Sequence, residues 1–260
     1  MLMVRNRVYK TDAVVLKQMP LGETNRIITF YTREYGKIAA VARGVRRPGS
    51  KFGGSLEILN HVEAAFGRGR SLDSVNECVV INSYKYLRQN LTAIAQGIYI
   101  AELVDIFGED RSANIRLFEI LSETLSNLDR YENSEFWVLW FEFRLLHFSG
   151  FLPEFIDCVE CRSPLDRSDH TFNPVAGGIL CPLCADSDVN DQSWVVSVTG
   201  LTVLRYFQRS LELTLGQADA DISVVDLLDV KTFLRIYMRY IAERDFKSTG
   251  FLDLIKFKNN

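Results

Sequence analysis

Short runs of Val, Ile, Phe and Thr, cut by turn residues, fill the first 83 positions. "DAVVLKQM", "NRIITFYT", "GKIAAVARG", "LNHVEAAFG" and "DSVNECVVINS" are separated by "PLGE", "REYG", "RRPGSKFGG" and "GRGRS". Runs of this composition between Gly, Pro and polar turn clusters read as β-strands. Five closely spaced strands predict a small closed barrel. The OB-fold is the commonest five-stranded form, and an SH3-like barrel is its rival.

From about residue 84 the apolar spacing turns helical. Ile94, Ile98, Ala101, Leu103, Val104 and Phe107 fit one helix. Leu117, Leu121, Leu125 and Leu128 fit a second, with Ser112 as its cap. Trp137, Trp140, Phe141, Arg144, Leu145 and Phe148 recur at helical spacing, widened by Phe136 and Phe143, and Gly150 marks the end. These aromatics read as a buried helical core, not a ligand box. Glu142, Arg144 and His147 interrupt the run, and a membrane span needs about 20 mostly apolar residues. After an insert at 154–195, Leu201, Leu204, Phe207 and Leu211 make another helix. Phe233, Ile236, Tyr237, Tyr240 and Ile241 make the last, flanked by Lys231, Arg235 and Arg239 at i, i+4 and i+8. The expected organisation is multi-domain α+β: an OB-type barrel over 1–83 and a helical domain over 84–260, interrupted by the 154–195 insert.

Charge adds a second layer. The net charge of −3 conceals a balance of +6 over residues 1–80 and −9 over the rest. A basic first third on an acidic protein points to a localised site for an anionic partner. The charge concentrates in "VARGVRRPGSKFGG", where Arg43, Arg46, Arg47 and Lys51 stand among glycines and a proline, without an acid. Glycines let backbone N–H groups approach phosphate closely. Arg26, Arg68 and Arg70 extend the basic set. Phe30, Tyr31, Tyr35, Phe52 and Phe66 supply aromatic faces for bases, although alternation puts some of them in the core. No apolar leader precedes the first charged residues, so the cytoplasm is the expected compartment.

The insert carries "CVEC" and "CPLC". Cys158, Cys161, Cys181 and Cys184 give C-x2-C-x19-C-x2-C, the spacing of a four-cysteine zinc site. Two tight turns bring both thiolate pairs onto one Zn2+ at about 2.3 Å. Four thiolates leave no open coordination position, so one structural ion per chain is expected. Such a site supplies on the order of 10 kcal/mol to a core-poor insert. A redox C-x-x-C pair and replacement of one ligand by His170 are the competing readings. Cys78, in a strand-like run, reads as a small buried hydrophobe.

Catalytic motifs are missing. No Walker loop, GxGxxG or GxSxG occurs, and His61, His147 and His170 are scattered. The expectation is a protein that is not an enzyme. A zinc-bearing interaction scaffold that never touches nucleic acid is the alternative class.

"LGETNRIITFYTREYGK", "VARGVRRPGSKFGGSLEILNHVE" and the helical region with its four-cysteine insert resemble, along the full chain, the RecO family of DNA repair proteins. The resemblance implies an N-terminal OB-fold, a helical C-terminal domain and a zinc-binding insert. It implies binding of single- and double-stranded DNA and annealing of complementary strands. It further implies association with RecR and, indirectly, loading of RecA onto DNA coated by single-strand binding protein. By position, Arg26 matches the arginine of the first segment, and Arg43, Arg46, Arg47 and Lys51 match the basic residues of the second. The resemblance also implies that the helical domain recognises the acidic tail of single-strand binding protein, for which Lys231, Arg235 and Arg239 are the candidates. The overall acidity of the chain places DNA on the N-terminal face.

Overall fold

The computed structural model describes residues 7–131, 134–187, 192–211, 224–250, 252 and 254, with side chains of the last long helix described from Leu227. The chain forms two compact units, one of residues 1–132 and 246–260 and the other of residues 133–245.

The first unit contains β1 (Val8–Leu21), β2 (Asn25–Thr32), β3 (Gly36–Ala42), β4 (His61–Gly67) and β5 (Asp73–Asn82). They close in the order β1-β2-β3-β5-β4. All pairings are antiparallel except β3 with β5, which meet in parallel at Ala40↔Asp73 and Val41↔Ser74. This is an OB-type five-stranded barrel, and it settles the choice against the SH3-like form. Strict alternation drives the closure: Gly36, Ile38, Ala40 and Ala42 of β3 are buried, while Lys37, Ala39 and Val41 are half-exposed. The core gathers Ala13, Val15, Ile28, Phe30, Val62, Ala64, Phe66 and Val75, large residues interleaved with alanines so that a narrow barrel fills.

β1 is longer than its apolar run suggests. Its first half pairs with β4 and its second half with β2, with an irregularity between Val15 and Lys17 where the strand turns from one to the other. A 3-10 turn (Leu87–Gln89), α1 (Leu91–Phe107) and α2 (Ile115–Arg130) belong to the same unit. Leu117, Leu121, Leu125 and Leu128 of α2 are buried as expected. On α1 the buried set includes Ala93, Gly97, Tyr99, Ile100 and Val104, and Ile98 faces outward. This helix is apolar on most sides, so spacing alone does not select the face. The cap of α2 is Asn114, whose carboxamide oxygen accepts from the Leu117 N–H at 3.0 Å, rather than Ser112. The Ser112 carbonyl instead lies against Gly36, at φ +63°, where a Cβ would come within 2.0 Å of it. The turn between β2 and β3 therefore requires glycine for both conformation and space.

The second unit contains α3 (Ser134–Phe148), β6 (His170–Asn173), β7 (Gly178–Leu180), α4 (Pro182–Ala185), β8 (Trp194–Val196), α5 (Val198–Arg209) and α6 (Val224–Ala242). The three strands form one antiparallel sheet in the order β7-β6-β8. The aromatic run of α3 is core: Phe136, Trp137, Trp140, Phe141 and Phe143 are all buried. Phe207 of α5 meets Phe136, Trp140 and Phe143 edge-on at 5.2–5.7 Å. Phe155 of the insert joins this ring cluster on Phe143, and Phe233 of α6 links Phe155 to Phe172. α5 ends before Leu211. α6 buries Leu227, Val230, Phe233, Leu234, Tyr237 and Met238, and leaves Ile236 exposed. No helix among the described residues is long and apolar enough to cross a membrane.

Candidate nucleic-acid interface and metal centre

The basic loop is a chain of tight turns between β3 and β4. Arg47 N–H donates to the Gly44 carbonyl, Ser50 to Arg47, Gly53 to Ser50 and Ser55 to Phe52, at 2.8–3.1 Å. Gly44, Gly49 and Gly53 take positive φ (+65°, +72° and +47°), which the reversals demand. The segment is two-sided. Phe52 and Leu56 turn inward and complete the barrel core, whereas Arg43, Arg46, Arg47 and Lys51 are exposed. The apolar plug fixes the loop, and the fixed loop displays the cations.

Neighbouring strands brace it. Gly44 N–H donates to Asn25 Oδ1 at 2.9 Å, and Arg46 N–H to the Thr24 carbonyl at 3.1 Å. Arg26 lies opposite Ala42 in the β2–β3 register, half-buried, and donates to Gln18 Oε1; Gln18 in turn donates to the Leu56 carbonyl. Arg26 thus braces the loop from β2. Lys51 Nζ reaches the Asn76 carbonyl on β5 at 2.8 Å and lies 5.0 Å from the Phe52 ring centre.

Arg68 and Arg70 occupy the turn between β4 and β5. Both are exposed, and Arg68 sits over Tyr9 at 5.1 Å. The turn closes on Asp73, which is 1% exposed. The Asp73 carboxylate accepts from the Tyr9 hydroxyl, from Arg111 Nη1 at 3.2 Å and from the Gly69 N–H at 3.1 Å. Burial works to raise the pKa of this carboxyl. The bonds from Tyr9, Arg111 and Gly69 outweigh burial and hold it below the ordinary carboxylate value. Because Asp73 pairs with Ala40 of β3, the Arg68–Arg70 turn is brought beside the strand that leads into the basic loop.

Ion pairing engages six other cations of this unit. Lys10 pairs with Glu63, Lys17 and Lys37 with Asp105, Arg33 and Arg116 with Glu119, and Arg111 with Asp73. Among the described residues, Arg26, Arg43, Arg46, Arg47, Lys51, Arg68 and Arg70 have no carboxylate partner. The structure corrects the aromatic half of the expectation. Phe30, Tyr31, Phe52 and Phe66 are buried and cannot stack on a base; Tyr35 is half-buried against the barrel core. Inward alternation, together with the inward turn of the loop, accounts for this.

The three cations of α6 do not form one stripe. Lys231 is engaged by Glu135 at 2.5 Å and Arg239 by Asp245 at 2.5 Å, while Arg235 is half-buried. A cavity of about 320 Å³ lies at the end of this helix, lined by Ile236, Arg239, Tyr240, Arg244 and Asp245. Arg244 was not signalled by helical spacing. The chain leaves the helix at Ala242 and reverses through Glu243, at φ +51°, which brings Arg244 back to Arg239.

The four insert cysteines converge. All four sulfurs lie within 4.8 Å of one another, and this is the one grouping of three or more potential metal ligands among the described residues. Cys158 N–H pairs with the Ser163 carbonyl, and Arg162 N–H, in a residue at φ +62°, with the Cys158 carbonyl, so the first C-x2-C bends into a knuckle. Pro182 opens α4 and forms the second. The Cys161 and Cys181 sulfurs are 3.7 Å apart. A tetrahedral ion with bonds of about 2.3 Å demands sulfurs about 3.8 Å apart, so the donor set fits. The Ser163 hydroxyl and N–H bring the Cys161 thiol down to about 6. Hydrogen bonding with Cys181, followed by burial and the other cysteines, pushes Cys184 up to about 12. One negative charge on the cluster thus opposes the next, which a divalent cation relieves. His170 lies outside the cluster, buried, with Nε2 3.1 Å from Asp166. The four cysteines can hold a metal ion.

The histidines do not assemble. His61 packs edge-on to Phe118, and burial lowers its pKa against the opposing pull of Asp12. His147 packs on Phe148. Cys78 is half-buried at the barrel wall.

An OB-type barrel with a cationic loop, joined in one chain to a helical unit with a four-thiol cluster, defines a two-unit protein with a separate candidate binding surface and metal centre. Residues 4–84 match the model of the recombination protein O N-terminal domain, and residues 88–250 match that of its C-terminal domain. The chain belongs to this family of DNA repair and recombination proteins. It is 33% identical to the DNA repair protein RecO of Roseiflexus sp. strain RS-1, over 97% of this chain and 88% of the relative. It is 31% identical to that of Dehalococcoides mccartyi strain 195, over 99% of this chain and 100% of the relative. The corresponding figures for Symbiobacterium thermophilum are 30%, 96% and 98%.

Proposed function

We propose that this protein is a non-enzymatic mediator of DNA repair and recombination that binds single- and double-stranded DNA through the barrel and anneals complementary strands. The observation that carries the reading is the set of seven cations without carboxylate partners gathered on and beside the basic loop, whereas Lys10, Lys17, Arg33, Lys37, Arg111 and Arg116 of the same unit are ion-paired. Cations held at a fixed loop lower the repulsion between two phosphate backbones. Affinity then comes chiefly from phosphate contacts, since four of the five aromatics first read as stacking platforms are buried.

In this reading the chain works with RecR in the bacterial cytoplasm, at the nucleoid during repair. Together they help load RecA onto DNA coated by single-strand binding protein. The acidic tail of that protein docks on the second unit, at the cavity between Arg239 and Arg244. One structural Zn2+ sits on Cys158, Cys161, Cys181 and Cys184, where it ties the two knuckles together. An annealing assay with complementary oligonucleotides, with and without magnesium, tests the activity. Annealing without cleavage is expected. Cut strands in magnesium would establish an enzyme, and inert behaviour would support the interaction scaffold.

A further inference from the structure

The four thiols of the metal cluster differ in their access to solvent. Cys158 is fully buried, Cys181 and Cys184 are half-buried, and Cys161 is exposed. All three other sulfurs lie within 4.8 Å of that of Cys161, and the one at 3.7 Å belongs to Cys181, on the opposite C-x2-C arm. Exposure and an adjacent resolving thiol are two of the features that make a cysteine a site of reversible oxidation.

We propose that Cys161 is a peroxide-sensitive modification site with Cys181 as its resolving partner, and that their oxidation opens the metal cluster. This rests on the reading of the cluster as a zinc site. The Cys161 thiolate attacks one peroxide oxygen; an S–O bond forms, the O–O bond breaks and hydroxide leaves. The Cys181 thiolate then attacks the sulfenic sulfur, an S–S bond forms and a second hydroxide leaves. Two protons from solvent convert the hydroxides to water. The two sulfurs together lose two electrons, and the peroxide gains them.

After this step only Cys158 and Cys184 retain free sulfurs, half of the closed four-thiolate set. The consequence reaches the core of the second unit. Next to the first knuckle, Val159 N–H pairs with the Ile179 carbonyl and Glu154 N–H with the Gly177 carbonyl, both at 2.9–3.0 Å. Phe155, in the same segment, is fully buried between Phe143 and Phe233. Opening the cluster releases one end of the segment that holds Phe155 in place.

The test uses the full-length protein. Its metal content is measured first. Hydrogen peroxide is then added in less than equimolar steps, with a zinc-binding dye reading release, thiols blocked by alkylation, and peptides mapped by mass spectrometry. The expected result is loss of two thiols for each ion released, with a Cys161–Cys181 crosslink as the first product. Cys78→Ser should respond identically, because Cys78 lies in the barrel. Oxidation of Cys78 alone with the metal retained, a first crosslink within either C-x2-C arm, or metal release while Cys161 stays reduced would each overturn the proposal. Protein isolated without zinc would refute the metal reading instead. In that protein, formation or absence of the Cys161–Cys181 crosslink still decides the oxidation step.

Discussion

Replacing Asp73 by Asn probes the joint between barrel closure and the basic surface. Asp73 opens β5, is 1% exposed, and accepts from Tyr9, Arg111 and Gly69. Hydrogen bonds to a charged acceptor contribute about 1.5–3 kcal/mol each. The Arg111 side chain is 49% exposed, so solvent screening leaves its ion pair at about 1 kcal/mol or less. Asn keeps one acceptor oxygen and sets an NH2 group against a remaining donor. The expected cost is therefore about 2–4 kcal/mol. It should register as faster native-state hydrogen exchange at the Gly69 N–H and along the paired amides of β4 and β5. The wild-type contribution should also depend on pH. Because the folded carboxyl lies below its ordinary value of 3.8, its stabilisation is present above that value and lost as pH falls through the lower folded one. Asp73→Asn should abolish this acid-limb loss. A variant within about 0.5 kcal/mol of the parent, with unchanged protection at Gly69, would refute the reasoning.

Two further outcomes are expected from the second unit. Elemental analysis should find about one zinc per chain, and chelation should expose the 154–187 amides to exchange, since a closed four-thiolate site contributes on the order of 10 kcal/mol; metal-free protein with undisturbed protection there would rule out a structural ion. Arg239→Ala should weaken a labelled acidic peptide ending in an apolar residue by up to about fivefold, as an exposed charge pair is worth at most about 1 kcal/mol. Unaltered affinity in both Arg235→Ala and Arg239→Ala would move the peptide to another surface.

What the sequence disclosed follows the range of the forces involved. β2 coincides with the run "NRIITFYT", because alternation and flanking turns are local. The cysteine cluster was legible for the same reason, since two short knuckles carry all four ligands. β1 begins four residues before its apolar segment because its first half pairs with β4, a partner that no local pattern names. The charge of the basic loop was plain, but its anchoring was not. Phe52 turns inward only because the open end of the barrel accepts it, and the bracing role of Arg26 depends on a glutamine one strand away. Lys231 shared a helix flank with Arg239 on paper, yet Glu135 of α3 engages it in the folded chain.

The central claim is that the loop cations contact phosphate. Its most direct measurement is the salt dependence of DNA affinity in the parent and in a variant carrying Ala at Arg43, Arg46, Arg47 and Lys51. Each phosphate contact contributes a log–log slope of about −0.7 on single strands and about −0.9 on duplex. If all four cations engage, the slope should flatten by about 2.8 and about 3.6 respectively, and annealing should slow. These side chains are exposed, so the variant should keep its fold. An unchanged slope in a correctly folded variant would contradict the account and move the DNA to another surface.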